Sequence, residues 1–304
     1  MEININEINS RIEENPHKFV VDTDQNYFSQ VREIAENICD SRDRCPVILL
    51  SGPSGSGKTT TAHLLEHYLD SMGCETHALS MDNYFKSLLP EEKTAAKEGT
   101  LDLESPGRLD GELLNSQIED IIACRSVELP VYDFVNSVCL KSGEILKRKP
   151  GELVIFEGIH ALNPDVITVP DDKTVRIYVS VRTRVVCENH IIHPENIRLL
   201  RRMIRDNIHR GRTFSQTCIA AANVKKGEDL YVMPYKYRST FDIDTFIPYE
   251  LGIYKSFFRT QLENIESHGE MSEIIRLLTP ALPMSEALVP DHSLIREFIG
   301  GAKH

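Results

Sequence analysis

The sequence has no tryptophan, no Cys-x-x-Cys pair and no apolar run approaching the length of a membrane span. Each lack closes off a class of protein. Without such a run, no membrane-crossing helix is expected. The opening, Met1-Glu2-Ile3-Asn4, has neither a basic segment nor a following apolar core, so no secretory leader is expected. Cysteines stand at positions 39, 45, 74, 124, 139, 187 and 218. An odd, scattered set predicts reduced thiols in a cytoplasmic protein rather than a disulfide framework or a zinc site. Positive charge is also scarce. With 34 basic and 46 acidic side chains the net charge is −12, which disfavours a nonspecific nucleic-acid binder. Internal repeats and low-complexity tracts are missing too.

What is present is a chain of 304 residues that can bury a large core in one large domain or two smaller ones. Its most informative stretch is Gly52-Pro53-Ser54-Gly55-Ser56-Gly57-Lys58-Thr59. It fits the phosphate-loop pattern Gly-x-x-x-x-Gly-Lys-Ser/Thr. The context agrees: Pro46–Ser51 before it reads as a short buried strand, and Thr60–Leu69 after it as a helix with Ala62, Leu65 and Leu69 on one face. Glycines let the backbone turn its N–H groups onto phosphate oxygens, and the helix start favours the same anion. Lys58 then reaches the terminal phosphates and the Thr59 hydroxyl holds magnesium. Thr60 completes the expected ATP-binding set.

Residues 1–45 predict a helical extension, with Tyr27, Val31, Ile34 and Ile38 at amphipathic spacing. Thr76–Met81 reads as a second buried strand that delivers Asp82, Asn83 and Tyr84 at its carboxyl end. Open parallel sheets place their sites there, so Asp82 is either chemical or a helix cap. Residues 86–112 read as a mobile insertion in which Asp102, Glu104 and Asp110 are either substrate contacts or solvated charges. Val127–Phe134 predicts an extended arm that turns at Lys141–Glu144 and returns through Ile145 and Leu146. Tyr132 and Phe134 share a face of it, free to stack a flat ligand or to pack the core. Leu153–Gly158 is another buried strand, and Glu157 at its end is placed for magnesium or for a turn.

Thr174–Ser180 is the next strand. Residues 183–210 read as one charged helical stretch. Arg198 and Arg201 on it read as solvated, paired with local acids such as Glu195 and Asp206. Arg205, Arg210 and Arg212 read as polyphosphate ligands. Phe241–Ile247 predicts the last strand, residues 249–279 predict helix, and the apolar tail 280–304 is expected to pack on the body.

In this order, the phosphate loop, Ser80-Met81-Asp82-Asn83-Tyr84-Phe85, Pro130-Val131-Tyr132-Asp133-Phe134, Phe156-Glu157-Gly158-Ile159 and Arg201-Arg202-Met203-Ile204-Arg205-Asp206 resemble the uridine kinase and phosphoribulokinase family of P-loop kinases. The resemblance covers roughly residues 45–250. Ile243–Leu251 and the tail Arg296-Glu297-Phe298-Ile299-Gly300-Gly301 look like a bacterial uridine-kinase-like subgroup. The resemblance implies an α/β P-loop NTPase: a three-layer sandwich with a mostly parallel sheet, a substrate-binding β-hairpin and an Arg-rich helical lid. It also implies a kinase domain over 46–265, with 266–304 packing on it.

By residue, it implies Asp82 as general base, which would also lie near the metal. Thr59 and Glu157 become magnesium ligands, and Tyr132 and Phe134 contacts to the nucleoside base. Tyr84 joins the substrate set. Arg202, Arg205, Arg210 and Arg212 serve the lid and the substrate. Two positions depart from the pattern. Ser105-Pro106-Gly107 lacks the aspartate that holds the ribose, and Ser137 replaces a histidine that reads the pyrimidine. The expected activity is ATP- and magnesium-dependent phosphorylation of a small hydroxylated acceptor, foremost a pyrimidine nucleoside. The rivals are another metabolite, such as a sugar or a pantothenate-like alcohol, and a non-catalytic nucleotide-binding regulator. No nucleic-acid or membrane partner is expected, and homo-oligomerisation stays open.

Overall fold

In chain order the regular elements are β1 (Glu2–Asn4), α1 (Ile5–Glu14), α2 (Pro16–Cys39), β2 (Val47–Ser51), α3 (Lys58–Ser71), β3 (Thr76–Ser80), α4 (Pro90–Glu98), α5 (Gly111–Ile122), β4 (Val127–Asp133), β5 (Val138–Leu146), β6 (Leu153–Glu157), β7 (Thr174–Ser180), β8 (Arg184–Cys187), β9 (His190–Ile192), α6 (Pro194–Arg210), α7 (Phe214–Tyr231), β10 (Phe241–Asp244), α8 (Glu250–Phe257), α9 (Glu270–Leu278) and α10 (Arg296–Ile299). The computed structural model describes residues 1–258 and 270–301.

The frame is a five-stranded parallel sheet in the order β10-β7-β2-β6-β3. β2, β6 and β7 are buried along their whole length; β2 and β6 read as near-continuous apolar runs and not as alternating ones, while β7 also buries Arg176, which pairs with Asp171. Successive side chains point to opposite faces. Leu50, Ile155 and Ile177 therefore join one core, with Tyr27, Leu65 and Leu200 from α2, α3 and α6. Leu49, Phe156 and Tyr178 join another, with Leu114 and Ile118 from α5. The result is helix, sheet and helix in three layers. Among the described residues no helix is long and apolar enough to cross a membrane.

Strand register builds the site. Glu157, the last residue of β6, lies between Leu50 of β2 and Ser80 of β3. The phosphate loop follows Ser51, and Asp82 follows Ser80 by two positions. Loop, Asp82 and Glu157 thus leave the sheet at one rim, at the strands' carboxyl ends.

The N-terminal segment is woven into this body. β1 pairs with β8 in a small sheet completed by β9, and the Tyr27 hydroxyl on α2 meets Thr61 Oγ1 on α3 at 2.9 Å.

Several sequence expectations need correction. The arm is a hairpin, but its turn lies at residues 134–137, where Ser137 takes φ 55°. Lys141–Glu144, expected to be the turn, lies inside β5. There the pairing jumps from Glu128↔Ile145 to Pro130↔Lys141, and Gly143 adopts φ 76° in the resulting bulge. The stretch expected as helix from 183 begins instead as the β8–β9 hairpin, and Pro194 then opens α6, where its missing N–H costs nothing. Helix over 249–279 holds for α8 and α9; residues 259–269, which contain the 265/266 boundary, lie outside the described residues. Cys39 and Cys74 are joined as a disulfide, so seven reduced thiols is the wrong expectation. Cys39 ends α2 and Cys74 lies just past α3, two helices packed on each other, a proximity that a spacing of 35 positions hides.

Candidate active site

The loop from Gly52 to Thr59 is held from outside by groups that grip its carbonyls. Arg198 Nη1 donates to Ser54 O at 3.0 Å, Arg201 Nη1 to Gly55 O at 3.3 Å, and Thr245 Oγ1 to Ser56 O at 2.7 Å. Glu228 Oε1 accepts from the Ser54 N–H at 2.8 Å and from Arg198 at 2.8 Å. Gly57 sits at φ 84°, in the left-handed region that a side chain resists. The N–H groups of Gly55, Gly57, Lys58 and Thr59 find no acceptor among the described residues. Ser56 Oγ is buried without a partner among the described residues. Unspent donors around a helix start, plus an orphaned hydroxyl, are a donor set suited to an oligophosphate.

Arg198 and Arg201 are therefore not solvated. Arg201 is fully buried and forks onto Glu250, with Nε–Oε2 at 2.7 Å and Nη2–Oε1 at 2.9 Å. The acids expected to pair with these arginines were local; the actual partners come from α7 and α8.

Lys58, Thr59, Asp82 and Glu157 converge. Lys58 Nζ rests on Pro53 O at 3.2 Å, and Thr59 Oγ1 lies 3.4 Å from Glu157 Oε1. Burial raises the Asp82 carboxyl above its usual range, while Lys58 and Arg210 pull it back. Glu157 is likewise raised by burial, lowered by Lys58 and raised again by the Asp82 charge. The three groups share one electrostatic field. Among the described residues there is no cluster of three metal-binding side chains. One hydroxyl and one or two carboxylates suit magnesium, which keeps waters and takes phosphate oxygens.

Of the three loop acids, one faces this field. Glu104 is raised to about 7, first by burial and then by Glu228, with Arg202 and Lys58 opposing and Asp82 adding. Asp102 instead accepts from the Tyr231 hydroxyl at 3.0 Å, and Asp110 caps α5 by accepting from Leu113 N at 3.1 Å. Glu104 reaches its place because α7 carries a glycine beneath it. A Cβ at Gly227 would stand 2.3 Å from Glu104 Cβ. Alanine there would gain about 1 kcal/mol of helix propensity. The clash costs about 1–3 kcal/mol, so the clash decides the sign. Gly227→Ala should lower stability in urea unfolding as Glu104 is pushed aside.

Three arginines on α6 and just past it gather on one buried carboxylate. Asp206 receives Arg205 Nη2 at 3.4 Å, Arg210 Nη1 at 3.2 Å and Arg212 Nη1 at 3.6 Å. Arg202 is lowered by burial, with Glu228, Asp206 and Glu104 opposing. On the arm, the Tyr132 and Phe134 rings touch at 5.0 Å between centroids, and Phe85 packs on Tyr132 at 5.6 Å. Phe134 is 62% exposed at the hairpin tip, whereas Tyr132 is buried. Tyr84 does not face this site. It is buried in the second core with its hydroxyl donating to Gln117 Oε1 at 2.8 Å. The next residue but one from Asp82 turns inward on the short 3-10 turn that follows β3, which no spacing in the sequence announces.

Sequence reasoning missed Glu297. Its Oε2 accepts from Thr60 Oγ1 at 2.6 Å and from Thr60 N at 3.4 Å, so a residue assigned to ATP is engaged by the tail.

The profile of the phosphoribulokinase / uridine kinase family matches residues 47–246. The chain is 30% identical over 175 residues to uridine-cytidine kinase 2-B of Danio rerio, covering 56% of this chain and 61% of that one. It is 30% identical over 180 residues to a uridine kinase of Staphylococcus haemolyticus, covering 59% of this chain and 77% of that one. A uridine kinase of Ligilactobacillus salivarius is 31% identical over 177 residues, covering 57% and 73%.

Proposed function

This chain belongs to the phosphoribulokinase / uridine kinase family, and from that membership we propose that it transfers the γ-phosphoryl group of ATP to a hydroxyl of a nucleoside, with uridine or cytidine as the leading acceptors. The observation that carries the reading is the convergence of Lys58, Asp82, Glu157 and Glu104 in one field at the sheet rim.

Phosphoryl transfer needs positioning and charge neutralisation more than covalent chemistry. The loop amides and Lys58 hold the triphosphate. Thr59 and Glu157 would hold magnesium, which when bound neutralises charge on the phosphate oxygens. Asp82 takes the proton of the attacking hydroxyl. Arg205, Arg210 and Arg212 swing from Asp206 onto the triphosphate as the lid closes and excludes water. Phe134, exposed at the hairpin tip, offers a flat face to a base, and the buried Tyr132 packs behind it. Glu104, beside Arg202, supplies the ribose carboxylate that Gly107 cannot.

The test is ATP and magnesium offered with uridine, cytidine, several sugars and pantothenate-like alcohols, with the phosphorylated product followed by mass. A nucleoside monophosphate is expected; product from sugars or pantothenate-like alcohols alone would overturn the nucleoside assignment. Glu104 adds a pH signature. Its carboxyl titrates near 7, and only the ionised form accepts both ribose hydroxyls. KM for the nucleoside should therefore rise as pH falls through about 7, and Glu104→Gln should raise KM and flatten that dependence. A slope that persists in the variant assigns the titration elsewhere.

A further inference from the structure

Thr60 is the third residue of α3, and its N–H is one of the free first-turn donors that a phosphate uses at a helix start. In this protein that donor and the Thr60 hydroxyl both point at Glu297 Oε2. A charge-assisted O–H···O contact at 2.6 Å is at the strong end of the range. A carboxylate and a phosphate cannot share one N–H, and two anions in contact repel.

The tail presents Glu297 from a fixed backbone. Leu294 is fully buried, and its Cδ1 lies 2.9 Å from where a Gly57 Cβ would stand. Phe298 is fully buried beneath the Arg201 guanidinium, 5.0 Å from the ring centroid. Ser293 Oγ meets the Tyr249 hydroxyl at 2.6 Å, and Tyr249 donates to Asp24 Oδ1 at 2.7 Å. Arg296 Nη2 donates to Val289 O at 2.6 Å. With the backbone pinned on both sides, the freedom left to this contact is the Glu297 side chain. The buried, partnerless Ser56 Oγ in the same loop is a second sign that a ligand belongs there.

We propose that Glu297 is a resident competitor for the nucleotide: its carboxylate occupies the Thr60 donors that an incoming phosphate requires, so the C-terminal tail sets the affinity for ATP. This rests on the reading of Gly52–Thr59 as a triphosphate loop. Nucleotide binding displaces the Glu297 side chain while Leu294 and Phe298 stay seated, and nucleotide release lets it return. The protein is thus tuned to hold ATP less tightly than the same packed fold would without the Glu297 carboxylate.

The experiment uses the full chain and titrates ATP with magnesium by calorimetry, with no acceptor present. Glu297→Ala and Glu297→Gln should each tighten ATP binding, by about tenfold for alanine and less for glutamine, the scale of one hydrogen bond to a charged group. Both should at the same time lower the melting temperature of the ligand-free protein, because a helix-start carboxylate is lost. Opposite movements of affinity and stability are the signature. If both variants lose stability with ATP affinity unchanged or weaker, Glu297 is only a cap and the proposal fails. Lys58→Ala separates this from the broader reading. If wild type binds ATP and Lys58→Ala does not, the loop assignment stands whatever Glu297 does. If wild type binds no ATP, both readings fall together.

Discussion

Asp82→Asn should lower turnover by about 100- to 10,000-fold while ATP binding stays near that of wild type. The magnitude is the usual contribution of a positioned general base, equivalent to about 2.7–5.5 kcal/mol of barrier. Asparagine keeps the shape of the side chain but loses its negative charge and its ability to take a proton. The loop proposed to bind ATP is built from other residues: its carbonyls hang on Arg198, Arg201 and Thr245. Turnover and affinity should therefore separate. Burial holds the Asp82 carboxyl above its ordinary range. Activity should accordingly fall on the acid side at a higher pH than an exposed aspartate would give, because protonation would disable the proposed base. Stopped-flow or steady-state turnover, set beside calorimetric ATP affinity, checks both statements. A collapse of ATP binding in the variant would make Asp82 a metal ligand or a structural group instead.

Arg201→Ala should cost about 3–5 kcal/mol, the price of stranding a buried partner charge. Both Arg201 and Glu250 are fully inaccessible to solvent. Beyond its two bonds to Glu250, Arg201 Nη2 donates to Thr245 O at 2.6 Å. Alanine leaves Glu250 unpaired and Thr245 O short of a donor. Since ordinary domains are stable by about 5–15 kcal/mol, much of the margin goes. Arg201→Met with Glu250→Leu should recover most of that stability, because paired apolar replacements avoid the desolvation cost. It should not recover full ATP affinity, because Gly55 O still lacks its Arg201 donor. Urea unfolding and ATP titration on both variants separate scaffold from loop. A loss below about 1 kcal/mol in the single variant would mean that water reaches the pair and screens it.

The sheet rim was legible in the sequence because each of its parts is local. Buried parallel strands are short apolar runs, and Lys58, Asp82 and Glu157 each sit within two residues of a strand or helix end. Groups that depend on distant pairing were not legible. Arg201 and Glu250 are 49 positions apart, and Thr60 and Glu297 are 237 apart. Charge on α6 looked like a solvated surface because charge alone does not say which face a neighbouring helix covers. The choice among Asp102, Glu104 and Asp110 was closed to sequence for a similar reason. A polar loop has no periodicity, and what selects Glu104 is the bare spot that Gly227 leaves on α7. Ser142-Gly143 carries turn chemistry that a bulge uses equally well, so the arm's real turn was misplaced by several residues.

The packing of Leu294 and Phe298 behind the loop has a consequence during synthesis. The phosphate loop leaves the ribosome long before these side chains exist, and until they arrive its outer wall faces water. A nascent chain stalled short of residue 293 would carry the whole motif yet grip nucleotide poorly. Competence to bind would then report that translation has passed that point.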